Sequence, residues 1–437
     1  MKLTNLKNSD PEIYKLIVAE DKRQKETINL IASENFVSES VLEALGSVFT
    51  NKYSEGYPEA RYYGGNQFAD KLEKICQERA LKLFIRQPAN RYKWSVNVQP
   101  YSGSPANLAV FLALIPVRGK IMGMRLDMGG HLTHGHKASV TGKLWKQISY
   151  DVNPKTEQLN YNEILRIAKK EKPKLIICGY TAYSRIIDFK KFRKIADTVN
   201  AYLMVDMSHF AGLVAGGVYP SPFKYADIIT TTTHKTLRGP RAAIIFSKKN
   251  VFHLLNDRGH DEIRKKQKKS ISKLINKSIF PGLQGGPHMN QIASVAVALA
   301  EATRPIFKKY SQQIIKNAKT LAMEMQKFGW RIISGGTDTH LFLMDTWSAG
   351  ISGKTAEIAL EKTGIIVNKN TIPFDKRNPI DPSGIRIGTA AITSQGLKEK
   401  DMIKIAKKID IILKKIDPTH KNLCVGLTKH KNYVRLK

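Results

Sequence analysis

Apolar and polar positions along the middle of the chain fall into two alternating patterns. Short apolar runs at 174–178, 201–205, 226–231 and 242–246 predict buried strands. Between them, segments such as 188–199 carry apolar residues on one helical face. Buried strands that alternate with helices are typical of a sheet covered on both faces. We therefore predict an α/β fold with a large, mainly parallel sheet.

The pattern changes in the last third of the chain. A helical stretch over 289–326 leads to strand-like runs at 330–333 and 340–344, and 399–415 is typical of a closing amphipathic helix. We place the change of domain near residues 304 and 305. The predicted domains are an N-terminal arm with a large α/β domain over 1–304, including a basic insertion at about 251–276, a small α+β domain over 305–416, and a basic tail over 417–437.

Charge is the unusual part of the composition. The 437 residues include 71 Lys and Arg but only 37 Asp and Glu, which gives a net charge of +34. Such an excess raises nucleic acid, anionic membrane surfaces and polyanionic substrates as partners, and it is equally compatible with the compositional habit of a lysine-rich proteome. The longest apolar run, 108–115, is far too short to cross a bilayer.

Three cysteines, Cys76, Cys178 and Cys424, are too few for a disulfide scaffold in a chain of this length. They also lack the spacing of metal ligands. Residues 1–8 contain no apolar core of a signal peptide. We therefore expect a reducing, cytoplasmic setting and no metal site.

Polar residues at three predicted strand ends indicate a candidate ligand-binding or catalytic site. Ser102-Gly103-Ser104 precedes a helical segment, where hydroxyl and N–H groups could bind a phosphate, although such residues are also ordinary in turns. Asp206 follows a strand at the edge where α/β sheets place ligands, although a lone Asp there is more often a helix N-cap. Lys235 ends a threonine run, and its amine could form a Schiff base. Together they are the groups that a pyridoxal 5′-phosphate site needs.

Several longer motifs carry a resemblance to a known family. From about residue 28 to about 412, the chain resembles the serine hydroxymethyltransferases. The motifs that carry this resemblance are NLIASEN (29–35), NKYSEGYP (51–58), RYYGG (61–65), GGHLTHG (129–135), VDMSH (205–209), TTTTHK (230–235), FPGLQGGP (280–287) and SGIRIGT (383–389).

The resemblance implies the fold-type-I architecture of pyridoxal-phosphate enzymes, with a large α/β domain and a small C-terminal domain. It implies reversible interconversion of L-serine plus tetrahydrofolate with glycine plus 5,10-methylenetetrahydrofolate, a one-carbon transfer. It also implies a homodimer, sometimes paired into tetramers, with active sites at the subunit interface.

The resemblance further assigns residues to the cofactor. Lys235 would carry pyridoxal 5′-phosphate covalently, Asp206 would pair with the pyridine nitrogen, and His131 would stack on the ring. The remaining expected contacts are Ser102, Gly103 and Ser104 at the phosphate with Gly286 of the partner subunit, and Thr181, His209 and His234 near the cofactor.

Substrate contacts are implied in the same way. Arg386 would bind the amino acid's carboxylate bidentately with help from Ser33. Tyr53 and Glu55 would reach in from the neighbouring subunit, with Glu55 managing protons, and Tyr63 would lie close to the lysine. The expected folate contacts are Leu126, Gly130, Leu132 and Asn370, together with Glu55.

The chain departs from the family pattern at several points. Thr181 stands where serine is usual, and its hydroxyl can serve the same purpose. Residues 136–143 differ near the expected pterin loop, Ala242-Ala243 replaces two glycines, and Asn378-Pro379-Ile380 replaces a motif that ends in an aromatic residue. The insertion carries a basic run at 264–269, which could attract the polyglutamate tail of folate, although a solvated helix is the simpler interpretation.

Two alternative functions stay open at this point. A folate-independent aldolase acting on threonine-type substrates would keep Lys235, Asp206 and Arg386 but would need no pterin pocket. A nucleic-acid-binding protein would explain the charge, but the chain shows neither a recognised module nor aromatic residues interleaved with the basic ones. We therefore expect RNA at most as a weak, electrostatic secondary partner.

Overall fold

The computed structural model describes residues 3–249, 251–253 and 269–416. These residues divide into two units. The larger unit consists of Ser40–Thr181 and Ile186–Gln312, and the smaller unit consists of the described residues up to Glu39, Ala182–Arg185 and those from Gln313 onward. Most of the predicted basic run, Cys424 and the whole tail at 417–437 lie outside the described residues.

Seven strands form the central sheet of the larger unit. They are β1 (Trp94–Asn97), β2 (Lys120–Met124), β3 (Lys146–Tyr150), β4 (Leu175–Cys178), β5 (Tyr202–Asp206), β6 (Ile228–Thr232) and β7 (Ala243–Lys248). Their order across the sheet is β1-β7-β6-β5-β4-β2-β3. β7 is antiparallel to β1 and β6, whereas the other neighbours are parallel. The predicted α/β class and mainly parallel sheet are confirmed.

Burial explains why the central strands are rich in apolar residues. Every residue of β4 and β6 is buried, as expected for strands covered on both faces. The helix Gly103–Leu114 packs its apolar residues into the same core, with Phe111 against Trp145. This packing fixes the start of the helix beside the sheet.

Sixteen α-helices occur in the described part of the chain. In chain order they are Thr4–Ser9, Pro11–Glu26, Glu39–Leu45, Gln67–Phe84, Pro88–Arg91, Gly103–Leu114, Val140–Leu144, Tyr161–Glu171, Phe189–Thr198, Ala211–Ala215, Ile271–Lys277, Met289–Ala302, Pro305–Lys327, Gly353–Lys362, Ala390–Ser394 and Glu399–Lys414. The expected helices at 188–199 and 399–415 are therefore confirmed. Asp188 caps the first of them by accepting from the Lys191 N–H.

The helical stretch predicted over 289–326 exists but is not continuous. It consists of two helices, Met289–Ala302 and Pro305–Lys327, with a break at Thr303 and Arg304. Pro305 provides the physical reason, because proline has no N–H to donate and disfavours helical geometry in the residue before it.

The smaller unit contains a four-stranded antiparallel sheet. Its strands are β8 (Arg331–Ile332), β9 (Leu341–Asp345), β10 (Asn368–Asn370) and β11 (Gly384–Gly388), in the order β8-β9-β11-β10. The helices Gly353–Lys362 and Glu399–Lys414 contribute Leu360 and Ile405 to the same core. This arrangement agrees with the expected α+β character.

The division into units differs from the predicted boundary at 304 and 305. The change falls inside the helix Pro305–Lys327, after Gln312, and the N-terminal residues belong to the smaller unit. Backbone pairing accounts for the second difference. Ile28–Asn29 forms a parallel ladder with Ile365–Ile366, and Leu30 is buried in the core of the smaller unit.

Phe111→Ala tests the packing of the helix Gly103–Leu114. Phe111 is fully buried, so its truncation should leave a cavity and destabilise the protein by about 3–5 kcal/mol. Leu112→Ala on the same helix is the matched control, because Leu112 is 40% exposed and should cost less than about 1 kcal/mol. Urea unfolding of the two variants measures the difference, and equal costs would contradict the described packing.

Candidate active site

The candidate site lies at the carboxyl ends of β5 and β6. Asp206 is the last residue of β5, and Thr232 is the last residue of β6. The two strands are parallel neighbours, with Asp206 opposite Thr230. The polar segments that follow them therefore leave the same edge of the sheet, where such folds place ligands.

Asp206 is a buried carboxylate with a partner at each oxygen. Its Oδ2 accepts hydrogen bonds from Asn107 Nδ2 at 2.9 Å and from His134 Nε2 at 3.2 Å. Its Oδ1 accepts from the Ser208 N–H at 3.1 Å and from the Ser208 hydroxyl at 2.6 Å. No helix begins at Asp206, so the alternative of a helix N-cap is wrong.

These partners decide the charge of Asp206. Burial alone would raise the pKa of this carboxyl, but the hydrogen bond from His134, the charges of His134 and His131 and the bond from Ser208 outweigh it. The pKa of Asp206 consequently lies well below its ordinary value. The site therefore holds an anionic carboxylate in the protein interior.

Ser208 and Thr232 connect Asp206 to Lys235. The Ser208 oxygen that bonds to Asp206 also accepts from the Thr232 N–H at 3.1 Å. The Thr232 hydroxyl oxygen in turn accepts from Lys235 Nζ at 3.0 Å. A chain of hydrogen bonds thus joins the carboxylate to the half-buried lysine that the sequence singled out.

The start of the helix Gly103–Leu114 lies against the same strand end. A Cβ atom on Gly103 would come within 2.7 Å of Thr232 Cγ2, so a larger residue here would displace the Thr232 side chain. Ser102 is the N-cap residue, yet among the described residues its side chain makes no capping hydrogen bond. The helix-start N–H groups and the hydroxyls of Ser102 and Ser104 together suit a phosphate.

Asn107 is a residue that our sequence reasoning missed. Its amide donates to Asp206 and to Thr133 Oγ1, and its oxygen accepts from the Thr230 hydroxyl. It is buried in a helix whose other inward residues are apolar. An amide among apolar neighbours was the available signal, since buried polar groups usually have a specific partner.

The segment after β2 brings His131 and Thr181 towards this network. His131 Nδ1 lies 2.7 Å from Thr133 Oγ1, which also receives the Asn107 bond. The ring of His131 lies 5.6 Å from that of His134. Thr181 donates its N–H to the carbonyl of Gly129 at 2.9 Å, which holds it beside the same segment.

His209 and His234 belong to the two loops at this edge. His209 is buried three residues after Asp206, and its carbonyl accepts from the Thr236 hydroxyl at 3.0 Å. His234 Nδ1 is buried without a hydrogen-bond partner among the described residues. Burial, with the positive charges of Lys235 and Arg241, lowers the pKa of His234 to about 3. His234 is therefore neutral at physiological pH.

A second group of predicted residues clusters around the segment 284–288. The Tyr53 hydroxyl donates to Glu55 Oε1 at 3.2 Å, and the rings of Tyr53 and Tyr63 meet edge to face at 5.1 Å. A Cβ on Gly286 would lie 3.4 Å from the Tyr53 ring. Tyr53 and Tyr63 are about half exposed, at 53% and 50%.

Three of the four expected folate residues lie in the turns after β2. Leu126 begins a short 3₁₀ turn, and Leu132 begins another and is 46% exposed. Gly130 lies between them, where a Cβ would collide with the Met124 carbonyl oxygen at 2.2 Å. The fourth, Asn370, is in the smaller unit at the end of β10.

Arg386 and Ser33 both belong to the smaller unit. Arg386 is buried in β11, and its Nε donates to Asn368 Oδ1 at 3.1 Å. Burial lowers its pKa to about 10, so it remains charged at neutral pH. Ala32, the neighbour of Ser33, packs so closely on Gly388 that a Cβ there would lie 2.4 Å from the Ala32 Cα.

Two departures from the family pattern have a local explanation. Ala242 and Ala243 are buried, and their carbonyl and N–H groups pair with Thr233 and Pro100 respectively, so alanine is accommodated at both positions. Ile380 is 70% exposed, and its N–H donates to Asn378 Oδ1 within a turn.

The described residues contain no group of three or more His, Cys, Asp or Glu side chains that could hold a metal ion. None of the helices in this part of the chain has both the length and the apolar character needed to span a bilayer.

Comparison with protein families agrees with the geometry. The family model for serine hydroxymethyltransferase matches residues 6–409. The chain belongs to the serine hydroxymethyltransferase family. As a family member it is a transferase that uses pyridoxal 5′-phosphate and interconverts L-serine plus tetrahydrofolate with glycine plus 5,10-methylenetetrahydrofolate. Nothing in the described residues favours the folate-independent aldolase.

The residues at the sheet edge fit the family's cofactor. An interior carboxylate that stays ionised suits a protonated pyridine nitrogen, and a lysine amine suits an aldehyde. The start of the helix at Gly103 suits a phosphate. The donor set therefore agrees with the cofactor that serine hydroxymethyltransferases use.

The low pKa of His234 predicts a contribution to stability that depends on pH. An unfolded chain protonates this histidine near pH 6.5, whereas the folded chain does so only near pH 3. Its contribution is therefore fully present above about pH 6.5 and is lost as the pH falls towards 3. In the cofactor-free protein, His234→Gln should flatten the decline in unfolding free energy by up to about 1 kcal/mol per pH unit in that window. Urea unfolding between pH 7 and about 4 provides the measurement, and parallel curves for the two proteins would contradict it.

Proposed function

We propose that Lys235 attaches the cofactor covalently and that Asp206 binds its pyridine nitrogen. The observation that carries this proposal is the hydrogen-bond chain from the ionised Asp206 through Ser208 and Thr232 to Lys235 Nζ. Both groups leave adjacent strands at one edge of the sheet. When bound, pyridoxal 5′-phosphate withdraws the electrons released as bonds to the substrate's α-carbon break.

The remaining cofactor contacts follow from the same edge. Ser102, Gly103 and Ser104 would bind the phosphate at the helix start, with Gly286 supplied by the partner subunit. His131 would stack on the ring, held in place by its contact with Thr133. Thr181, His209 and His234 would surround the cofactor's polar oxygens, and the neutral state of His234 avoids adding charge beside Lys235.

For the amino-acid substrate, we propose that Arg386 binds the carboxylate and that Ser33 assists. A guanidinium presents two parallel N–H donors to a carboxylate, and burial strengthens such bonds by excluding water. The Asn368 contact fixes the side-chain direction. Arg386 thus orients serine rather than reacting with it.

Glu55 is proposed to hold and move protons near the serine hydroxyl and folate. The Tyr53 hydroxyl donates to its carboxylate, which orients one oxygen, and Tyr63 packs on Tyr53. That hydrogen bond also raises the pKa of Tyr53 above its ordinary value, so the phenol remains a donor. Leu126, Gly130, Leu132 and Asn370, together with Glu55, are proposed to contact the folate.

We also propose a homodimer, which can pair into tetramers, with active sites at the subunit interface. Exposed aromatic side chains support an interface, because Tyr53, Tyr62 and Tyr63 are each at least half exposed. A cytoplasmic location remains our proposal as well, supported by the free thiols of the buried Cys76 and Cys178.

Lys235→Ala tests the attachment of the cofactor. Borohydride reduction of the loaded protein should fix one cofactor mass on the peptide that contains residue 235, and the variant should lose this mass together with serine-dependent turnover. Lys249→Ala, at an exposed lysine, is the matched control and should keep both. Peptide mass spectrometry provides the measurement. A cofactor mass on another lysine, or turnover that survives in Lys235→Ala, would overturn the assignment.

Arg386→Lys tests recognition of the serine carboxylate. Lysine keeps the charge but loses the paired donors, so kcat/KM for serine should fall roughly 10- to 100-fold, mainly through KM. Arg331→Lys, which alters a partly exposed ion pair with Asp345 in the same unit, should leave KM unchanged. Steady-state kinetics with saturating tetrahydrofolate distinguishes them, and an unchanged KM in Arg386→Lys would argue against this role.

A further inference from the structure

Tyr101, which precedes Ser102, contacts every second residue of the segment 284–288. Its N–H donates to Gln284 Oε1 at 3.0 Å. Its hydroxyl donates to the Gly286 carbonyl at 2.7 Å. Its ring lies parallel to that of His288, with centroids 4.1 Å apart and an angle of 1° between the planes. One side chain thus fixes this segment at its middle and its end.

The segment is also held from the strand side. Gln284 Nε2 donates to the carbonyl of Gln99 at 2.9 Å, so Gln284 bonds to two residues of the stretch 99–101. Gln284 is buried. Hydrogen bonds and ring stacking therefore join the stretch that leads into Ser102 to the segment 284–288.

The held segment lies against the residues proposed to handle protons. A Cβ on Gly285 would lie 3.2 Å from Glu55 Oε1, and one on Gly286 would lie 3.4 Å from the Tyr53 ring. The first distance is shorter than an ordinary van der Waals contact of a Cβ atom, and the second is at its lower limit. A small displacement of Gly285 or Gly286 would consequently change the space available to Glu55 and Tyr53.

We propose that Tyr101 is a positioning residue that holds Gly285 and Gly286 in place through its hydroxyl bond to Gly286 and its stacking on His288. It acts through these glycines and through its neighbour Ser102, without contacting the reacting atoms. The proposal deepens the proposed function and rests on it, since Ser102 is proposed to contact the phosphate in its own subunit and Gly286 the phosphate in the partner subunit. The affinity for the cofactor should therefore depend on both Tyr101 contacts.

The Tyr101 hydroxyl can act as a permanent hydrogen-bond donor. Burial, with the neighbouring Tyr53 and Glu55, raises the pKa of its phenol. The hydroxyl therefore stays protonated at neutral pH and can donate to the Gly286 carbonyl. Because this bond and the ring stacking use different atoms, substitutions can remove each one separately.

The experiment uses Tyr101→Phe, which removes only the hydroxyl, and His288→Ala, which removes only the stacking partner. Each should raise the Kd for pyridoxal 5′-phosphate about fivefold, the loss expected for one modest interaction. His288→Phe should restore near-native affinity because it keeps an aromatic ring. Tyr92→Phe, at a tyrosine that is 65% exposed, is the matched control and should bind normally.

Hydrogen exchange of the cofactor-free protein provides a readout that does not depend on catalysis. Peptides covering 284–288 should exchange faster in Tyr101→Phe and His288→Ala, but not in His288→Phe or Tyr92→Phe. If the wild-type protein fails to bind the cofactor, the proposed function fails, yet the exchange result still tests the role of Tyr101. Unchanged exchange and Kd in both variants would overturn the proposal. A uniform rise in exchange across the chain, not rescued by His288→Phe, would also overturn it, because it would indicate a general loss of stability.

Discussion

The burial of the Asp206 carboxylate is the constraint on which the rest of the site depends. An interior anion is costly unless its neighbours favour the charged form, and each hydrogen bond to it contributes about 1.5–3 kcal/mol. Asn107, His134 and Ser208 supply these bonds from three different segments of the chain. Satisfying one carboxylate therefore brings together the helix after β1, the turns after β2 and the loop after β5. The same set of bonds continues to Lys235, so the geometry that keeps Asp206 ionised also positions the amine.

The ends of the strands could be predicted from sequence because they combine two local signals. An apolar run indicates a buried strand, and polar residues at its end indicate the edge at which ligands bind. This pattern indicates Asp206 at the end of β5 and Lys235 at the end of the threonine run that follows the apolar start of β6. Asn107 and His134 could not be found in this way. They lie 99 and 72 residues from Asp206 along the chain, and only the fold brings them to it. For the same reason, the sequence showed Gly103 only as a small residue in a turn, and its contact with Thr232 could not be predicted.

The boundaries of helices and of the two units were harder to predict than the strand ends. The apolar pattern predicts one helical stretch across residues 303 and 304, but the helix breaks there, next to Pro305, where we expected the change of domain. The N-terminal residues were expected to form an arm of the large domain. Their backbone instead pairs with Ile365–Ile366, more than 300 residues further along the chain. A pattern confined to a short window cannot report such a long-range ladder, whereas the family resemblance, which spans many windows, was confirmed over residues 6–409.

The net charge of +34 carries less information about function than these short-range contacts. Exposed charges act over a Debye length of about 8 Å at physiological salt, and their effect is mainly on encounter rates. The chemistry proposed for the site instead depends on hydrogen bonds of about 3 Å and on burial, as at Asp206, Lys235 and Arg386. Only two of these three groups are cations, and each is distinguished by its surroundings rather than by its charge. The basic excess and the proposed site are therefore separate features: changing surface lysines would alter how fast anions arrive while leaving the hydrogen bonds at Asp206, Lys235 and Arg386 intact.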